Sequence, residues 1–111
     1  MATSLLLSRR DVDFLLYDWL DVESLTKRER YAEHSRETFD AVLDLCAEIA
    51  AERFAPHNKL SDAAEPELVD GRVRMPAEVK DALDAVAEAG LIGGGMDARV
   101  GGLQLPQVVQ T

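Results

Sequence analysis

Gly93-Gly94-Gly95-Met96-Asp97-Ala98 fits the spacing G-x-G-x-x-A, in which glycines let a backbone approach a pyrophosphate held at a helix N-terminus. That chemistry needs a strand before the glycines and a helix after them. Here a helical pattern precedes them and Pro106 follows, so the segment reads as a flexible connector. No Walker lysine follows either glycine run. His34 and His57 stand far apart with no helical pairing to other ligands, which favours capping or surface roles over zinc binding or acid–base work. Cys46 falls on an apolar helical stripe where a thiol is inert, and a single cysteine allows neither an internal disulfide nor a multi-thiolate metal site. Asp40, Asp44, Glu48 and Glu52 repeat every four residues, but carboxylates one turn apart on a straight helix diverge, so they read as a solvated face. No nucleophile, base and oxyanion donor combine, and these residues alone specify no catalytic, cofactor or metal site.

The elements that carry these residues are helical. Val12, Leu15, Leu16 and Trp19 follow the spacing of one helix face, with Ser8 or Asp11 to cap it, which predicts a helix over residues 10–20. Phe14 and Tyr17 fall off that stripe and give the helix a second apolar side. The charged stretch 21–30 reads as a linker. Phe39, Val42, Leu43, Cys46, Ile49, Ala50 and Arg53/Phe54 form a stripe of about five turns, which predicts a helix over residues 36–55, capped by Ser35 and stopped by Pro56. Asp70-Gly71 between Leu68-Val69 and Arg72-Val73 suits a two-residue turn, so a short hairpin is expected at 67–74. A third helix is expected at 76–89, starting at Pro76 and ending at Gly90, with Val79, Ala82, Leu83 and Val86 inward. Beyond it lies a glycine-rich tail that looks unfinished. The fold class expected is mainly α, an incomplete helical domain.

Composition sets outer bounds. A chain of 111 residues suits one small domain. With 12 Lys+Arg against 21 Asp+Glu, the net charge of -9 repels phosphate backbones and anionic lipid surfaces, so neither nucleic acid nor membrane is an expected partner. Apolar residues reach 47% but only 5% are aromatic, enough for a folded yet thin core. Leu5-Leu6-Leu7 precedes Arg9-Arg10, the reverse of a secretory signal, and reads as a frayed or docking N-terminus. No stretch approaches the roughly 20 apolar residues of a membrane span. The expected setting is reducing and cytoplasmic.

Three stretches together carry a family resemblance: Phe54-Ala55-Pro56-His57-Asn58-Lys59, then Val69-Asp70-Gly71-Arg72-Val73 leading to Pro76, then Gly101-Gly102-Leu103-Gln104-Leu105-Pro106. In this order and spacing they resemble the N-terminal helical domain of the acyl-CoA dehydrogenases. Upstream, Asp13-Phe14-Leu15-Leu16 to Leu20, Tyr31 and Glu37-Thr38-Phe39 are similar to the extended N-terminus of the longer branch, which includes methylthio-propanoyl-CoA dehydrogenase-like members. The resemblance covers roughly residues 10–109. It implies that residues 1–111 are the front of that domain, with the FAD-binding middle domain and the C-terminal bundle absent. The complete enzymes bind FAD and remove hydrogens from the α and β carbons of an acyl-CoA. Their carboxylate base and most of their flavin contacts lie in the missing parts, so the resemblance implies no catalytic or cofactor-binding residue here and no FAD bound by this chain alone. It marks Gly101, Gly102, Leu103, Gln104, Leu105 and Pro106 as the loop nearest the substrate cavity; the plain alternative is a tight turn that needs glycine geometry. Val100 where the family has an aromatic residue, and Leu91-Ile92 followed by three glycines, predict looser local packing. The expected partner is the remainder of such a dehydrogenase. The alternative is a free-standing helical interaction module that self-associates through its apolar helix faces.

Overall fold

A computed structural model describes residues 6–111. The expected frayed or docking N-terminus falls largely on residues 1–5, outside the described residues. Helix α1, Arg9–Asp13, begins where Ser8 Oγ accepts the Asp11 N–H at 3.3 Å, the cap expected from the sequence. The chain then widens into a π-helical turn, Phe14–Trp19. A turn closed by i→i+5 bonds advances fewer degrees per residue than an α-helix, so the apolar stripe expected at α-helical spacing does not survive. Leu16 and Tyr17 turn inward, whereas Leu15 and Trp19, expected on the buried face, are 42% and 69% exposed.

The expected linker is also structured. Asp21 takes a left-handed conformation at φ 49 that reverses the chain, and two 3-10 segments follow, Val22–Lys27 and Glu29–Tyr31. Val22 is 1% exposed. Tight 3-10 turns lack the 3.6-residue apolar rhythm that marks a helix in a sequence, which is why this stretch reads as a linker.

Helix α2, Arg36–Ile49, opens on a reciprocal cap: Ser35 Oγ accepts the Thr38 N–H at 3.4 Å and Thr38 Oγ1 accepts the Ser35 N–H at 2.8 Å. Pro56 does not end the helical path. A π turn, Ala50–Phe54, leads directly into α3, Ala55–Ala63, so the chain stays helical from Arg36 to Ala63. Widening the turn lets the Ala55 N–H reach the Ala50 carbonyl, and Pro56 enters in the first turn of α3, where a missing donor costs little.

The hairpin forms where expected. Strands β1, Glu67–Val69, and β2, Arg72–Arg74, pair antiparallel with Leu68 opposite Val73, and Asp70 and Gly71 both sit at positive φ, 51 and 76, as a primed turn requires. Pro76 precedes α4, Ala77–Glu88, and Gly90 at φ 77 closes it. Of the residues expected inward on α4, Ala82 is 1% exposed but Leu83 is exposed, because the contacts of α4 lie mainly with the π turn at Ala50–Phe54 and leave its Leu83 side open.

The tail is not loose. It folds back through short 3-10 turns, Leu91–Gly93 and Ala98–Val100, into a last turn of helix α5, Gln107–Gln110. Leu105 and Val109 join Leu16, Tyr17, Val22 and Phe39 in one core, with Val12, Leu25, Val42, Leu43 and Leu103 packed around it. Mainly α therefore holds, with five α-helices among the described residues where three were expected.

Burial is uneven. The chain exposes 8367 Å², against about 6,100 Å² for a compact monomer of 12.2 kDa. Its radius of gyration is 16.7 Å, where a compact domain of this length has about 13 Å. Phe39, with no exposed surface, is the centre of the closed half. Phe39→Ala is expected to cost about 3–5 kcal/mol in urea unfolding. Leu83→Ala, on the open half, is expected to change stability by less than about 0.5 kcal/mol.

Candidate functional site

The loop marked by the resemblance sits against the segment that leads into α2. His34 Nε2 lies 3.1 Å from the Leu103 carbonyl and 3.0 Å from that of Gln104, so this nitrogen donates. Its Nδ1 is 3.3 Å from Thr38 Oγ1, and its ring stacks on Phe39 with centroids 5.4 Å apart. Gln104, at φ 53, donates from Nε2 to the Arg30 carbonyl at 2.6 Å and accepts the Ala98 N–H at 3.0 Å. Arg30 reaches across to Asp97 at 2.5 Å. Arg99 holds the second Asp97 oxygen at 3.0 Å, and Arg99 and Arg30 together keep that carboxyl below its ordinary pKa.

Backbone bonds tighten the same loop. The N–H groups of Leu103, Gln104 and Leu105 donate to the carbonyls of Gly93, Met96 and Gly94. Gly101 takes a left-handed φ of 88, and a Cβ on Gly102 would stand 2.2 Å from the Met96 carbonyl oxygen. Packing here is close, not loosened as Val100 and the three glycines led one to expect; Val100 is simply exposed. Leu105 and Pro106 are buried, and Gly101 is exposed. The geometry therefore brings Gly101 to Pro106 together as one moored turn.

The glycine segment does not fit a dinucleotide. The Gly94 N–H is spent on the Leu91 carbonyl, and a Cβ on Gly95 would stand 2.0 Å from Gln110 Oε1. Only a single 3-10 turn follows, so no helix N-terminus faces these glycines to hold the pyrophosphate of a flavin or a nicotinamide cofactor. An open groove of about 540 Å³ lies at the start of α2, lined by Glu23, Ser24, Lys27, Ser35, Arg36 and Glu37 among others. Its polar groups serve one another: Arg36 pairs with Glu23 at 3.3 Å, and Ser24 Oγ donates to the Asp21 carbonyl at 2.8 Å.

The remaining chemistry-bearing residues are dispersed. Burial raises the Cys46 thiol pKa, which keeps it protonated and unreactive. His57 is buried on α3 beside Phe54, with Nδ1 3.0 Å from Ser61 Oγ and Nε2 without a hydrogen-bond partner among the described residues. No three metal-binding side chains converge among the described residues. The acidic row is partly neutralised, which its spacing did not reveal. Arg9 of α1 bonds Asp13 at 2.9 Å, Asp40 at 3.4 Å and Asp44. Tyr17 adds a 2.5 Å donation to Asp40 beneath the Arg36 guanidinium, and burial together with that carboxylate raises the phenol pKa. Arg9 and Arg36 were the missed residues: Arg36 stands four residues before Asp40 on α2 itself, a spacing the sequence could have shown, whereas only the packing of α1 on α2 brings Arg9 to the row.

The Asp97 mooring has a defined pH sign. A carboxyl whose folded pKa is depressed stabilises the fold above its unfolded pKa, and the contribution is lost as pH falls through the folded value. Amide exchange of Leu103 and Leu105 relative to Phe39 is expected to accelerate only once the pH falls below the ordinary carboxylate range. In Asp97→Asn the same amides exchange fast at neutral pH and show no such acid step. Gly102→Ala is expected to abolish their protection at every pH while leaving α2 protected.

No protein-family profile matches the chain, and no solved structure matches it. Two proteins described as butyryl-CoA dehydrogenase of Syntrophomonas wolfei subsp. wolfei are similar to it, 30% and 31% identical over 86 residues. The aligned stretch is 74% of this chain and 14% of each of theirs, so the chain spans about a seventh of the relatives it matches. Over that stretch the chain is distantly related to acyl-CoA dehydrogenases.

Proposed function

We propose that the chain serves as the front of the N-terminal helical domain of an FAD-dependent acyl-CoA dehydrogenase, on the long branch that resembles methylthio-propanoyl-CoA dehydrogenases. The observation that carries this reading is the similarity to two butyryl-CoA dehydrogenases across most of the chain. Exposed apolar side chains support it: Phe14 and Trp19 on the first helical segment and Ile92 beside the tail remain largely exposed, as surfaces that pack on further polypeptide would be.

In this role the moored turn from Gly101 to Pro106 forms part of the wall of the acyl cavity. His34, Arg30 and Gln104 are positioning residues that fix its backbone. FAD supplies the hydride-accepting chemistry when bound to the complete enzyme, and its site belongs to other segments, since the glycines here do not fit it. The carboxylate base likewise comes from elsewhere. The partner is the remainder of a dehydrogenase, the setting cytoplasmic, and neither nucleic acid nor membrane takes part. By itself the chain is catalytically silent.

The test is direct. The purified chain is expected to show no flavin absorbance and no acyl-CoA turnover with an artificial electron acceptor; stoichiometric flavin together with turnover overturns the silent reading. The second reading, a self-associating helical module, is favoured by the same exposed apolar side chains. It gains if the chain forms a cooperatively unfolding oligomer that ignores an added dehydrogenase remainder.

A further inference from the structure

Asp70 is the one aspartate of the chain that precedes a glycine, and the pair forms the tip of the hairpin. Such a pair carries a reaction of its own. The amide nitrogen of the following residue attacks the side-chain carboxyl carbon and closes a five-membered ring, and glycine opposes this least because no Cβ shields its nitrogen. Both reacting groups are free here. Asp70 and Gly71 are exposed, the Gly71 N–H donates to no backbone carbonyl and the Asp70 carboxylate joins no ion pair among the described residues. Even a Cβ built on Gly71 would meet nothing within 4 Å. The lone asparagine, Asn58, precedes Lys59 inside α3 and offers no such site.

The hairpin controls when they meet. Asp70 and Gly71, at φ 51 and 76, hold a primed turn, whereas the five-membered ring fixes the Asp70 ψ far from the value such a turn requires. Ring closure therefore passes through the opened hairpin. Opening costs little: three residue pairs join the strands, and Leu68 and Val73, which face each other, are 77% and 66% exposed. Neither strand packs extensively on any helix, and a two-stranded hairpin without cover is marginal in water. Asp40 and Asp44 contrast with this, since the hydrogen bonds of α2 hold their backbone in place.

We propose that Asp70-Gly71 is a self-modification site at which the open hairpin converts Asp70 to isoaspartate. The Gly71 nitrogen forms a bond to Cγ of the protonated Asp70 carboxyl, a C–O bond of that carboxyl breaks, and the oxygen leaves as water with the amide and carboxyl protons. Water then adds to either carbonyl of the ring. Breaking the Cγ–N bond restores aspartate; breaking the bond from nitrogen to the Asp70 backbone carbonyl carbon leaves the main chain running through the side chain. Nothing is oxidised or reduced, and neither flavin nor acyl-CoA takes part. Isoaspartate adds one methylene to the backbone and frees a carboxylate at the tip. A two-residue turn so lengthened loses the geometry that sets Leu68 opposite Val73 and Glu67 opposite Arg74, which unseats the strand pairing. Any polypeptide that covers the hairpin holds the turn closed and slows the change, so Asp70 records how long this face has stood uncovered.

Ageing the purified 111-residue chain at neutral pH tests this. Isoaspartate is read by peptide mass spectrometry with fragmentation that separates it from aspartate, and by methyl transfer from S-adenosylmethionine through an isoaspartyl-specific methyltransferase. Asp70 is expected to carry about ten times or more the isoaspartate of any other aspartate, beside a minor form lighter by one water, with helical circular dichroism retained. Asp70→Asn suits the same turn and loses ammonia in place of water, so it is expected to age faster still. Leu68→Cys/Val73→Cys in a Cys46→Ser background isolates the hairpin, because the two positions face each other and one chain serves in both redox states. With the disulfide closed, modification is expected to slow about tenfold or more relative to the same chain reduced. Isoaspartate at Asp70 no greater than elsewhere, an Asp70→Asn chain that ages no faster, or equal rates in the closed and reduced chains overturns the proposal.

Discussion

Phe39 loses all its exposed surface because three stretches remote in sequence converge on the first half of α2: the π turn with Leu16 and Tyr17, the 3-10 turn with Val22, and the tail with Leu105 and Val109. Nothing local produces that convergence. The tail reaches it only because Gly101 permits a left-handed turn and Gly102 lets the backbone pass against Met96. Two short helices and a glycine loop, each too brief to persist alone, thus become ordered by burying a few apolar side chains in common. The polar moorings from Arg30, His34 and Gln104 fix where the tail sits, and the apolar contacts hold it there.

How much of this can be read from residues follows the range of the interactions. Ser8, Ser35, Asp70-Gly71 and Gly90 announce their roles because a cap or a primed turn is settled within a few residues. Pro56 misleads for the same reason. Its local rule forbids an α-helical bond, yet the chain keeps a helical path by widening the turn before it, a choice that side-chain types do not record. Leu15 and Trp19 mislead likewise, since a change of helical pitch moves the apolar stripe without changing one residue. Glycines at 93–102 are ambiguous at source: the permissiveness that suits a flexible connector also suits a tight turn, and only burial of Leu105 and Pro106 decides between them.

The candidate loop shows where residue reading stops short of function. Its grouping from Gly101 to Pro106 was legible as a motif. Its mooring was not, because Arg30 and His34 lie some seventy residues earlier, in a stretch whose charge suggests solvent rather than structure. Charge proves similarly misleading on α2, where a row of four carboxylates looks uniformly solvated but divides in space. Asp40 and Asp44 are paired with Arg9, and Asp40 with Arg36 too, whereas Glu48 and Glu52 join no ion pair among the described residues.

That division follows the shape of the molecule. The end of the fold that buries Phe39 holds most of the ion pairs though it still exposes Phe14 and Trp19, while the end that carries the hairpin and α4 has the Lys80–Asp84 pair and leaves Leu68, Val73 and Leu83 open. A weakly packed end cannot be rescued by adding surface charge, because exposed ion pairs contribute at most about 1 kcal/mol each. It needs area removed from water, at roughly 25 cal/mol per Å² of apolar surface. Whether that area comes from the rest of a dehydrogenase or from a second copy, the polypeptide that supplies it stabilises the hairpin end most, since the core around Phe39 is already closed.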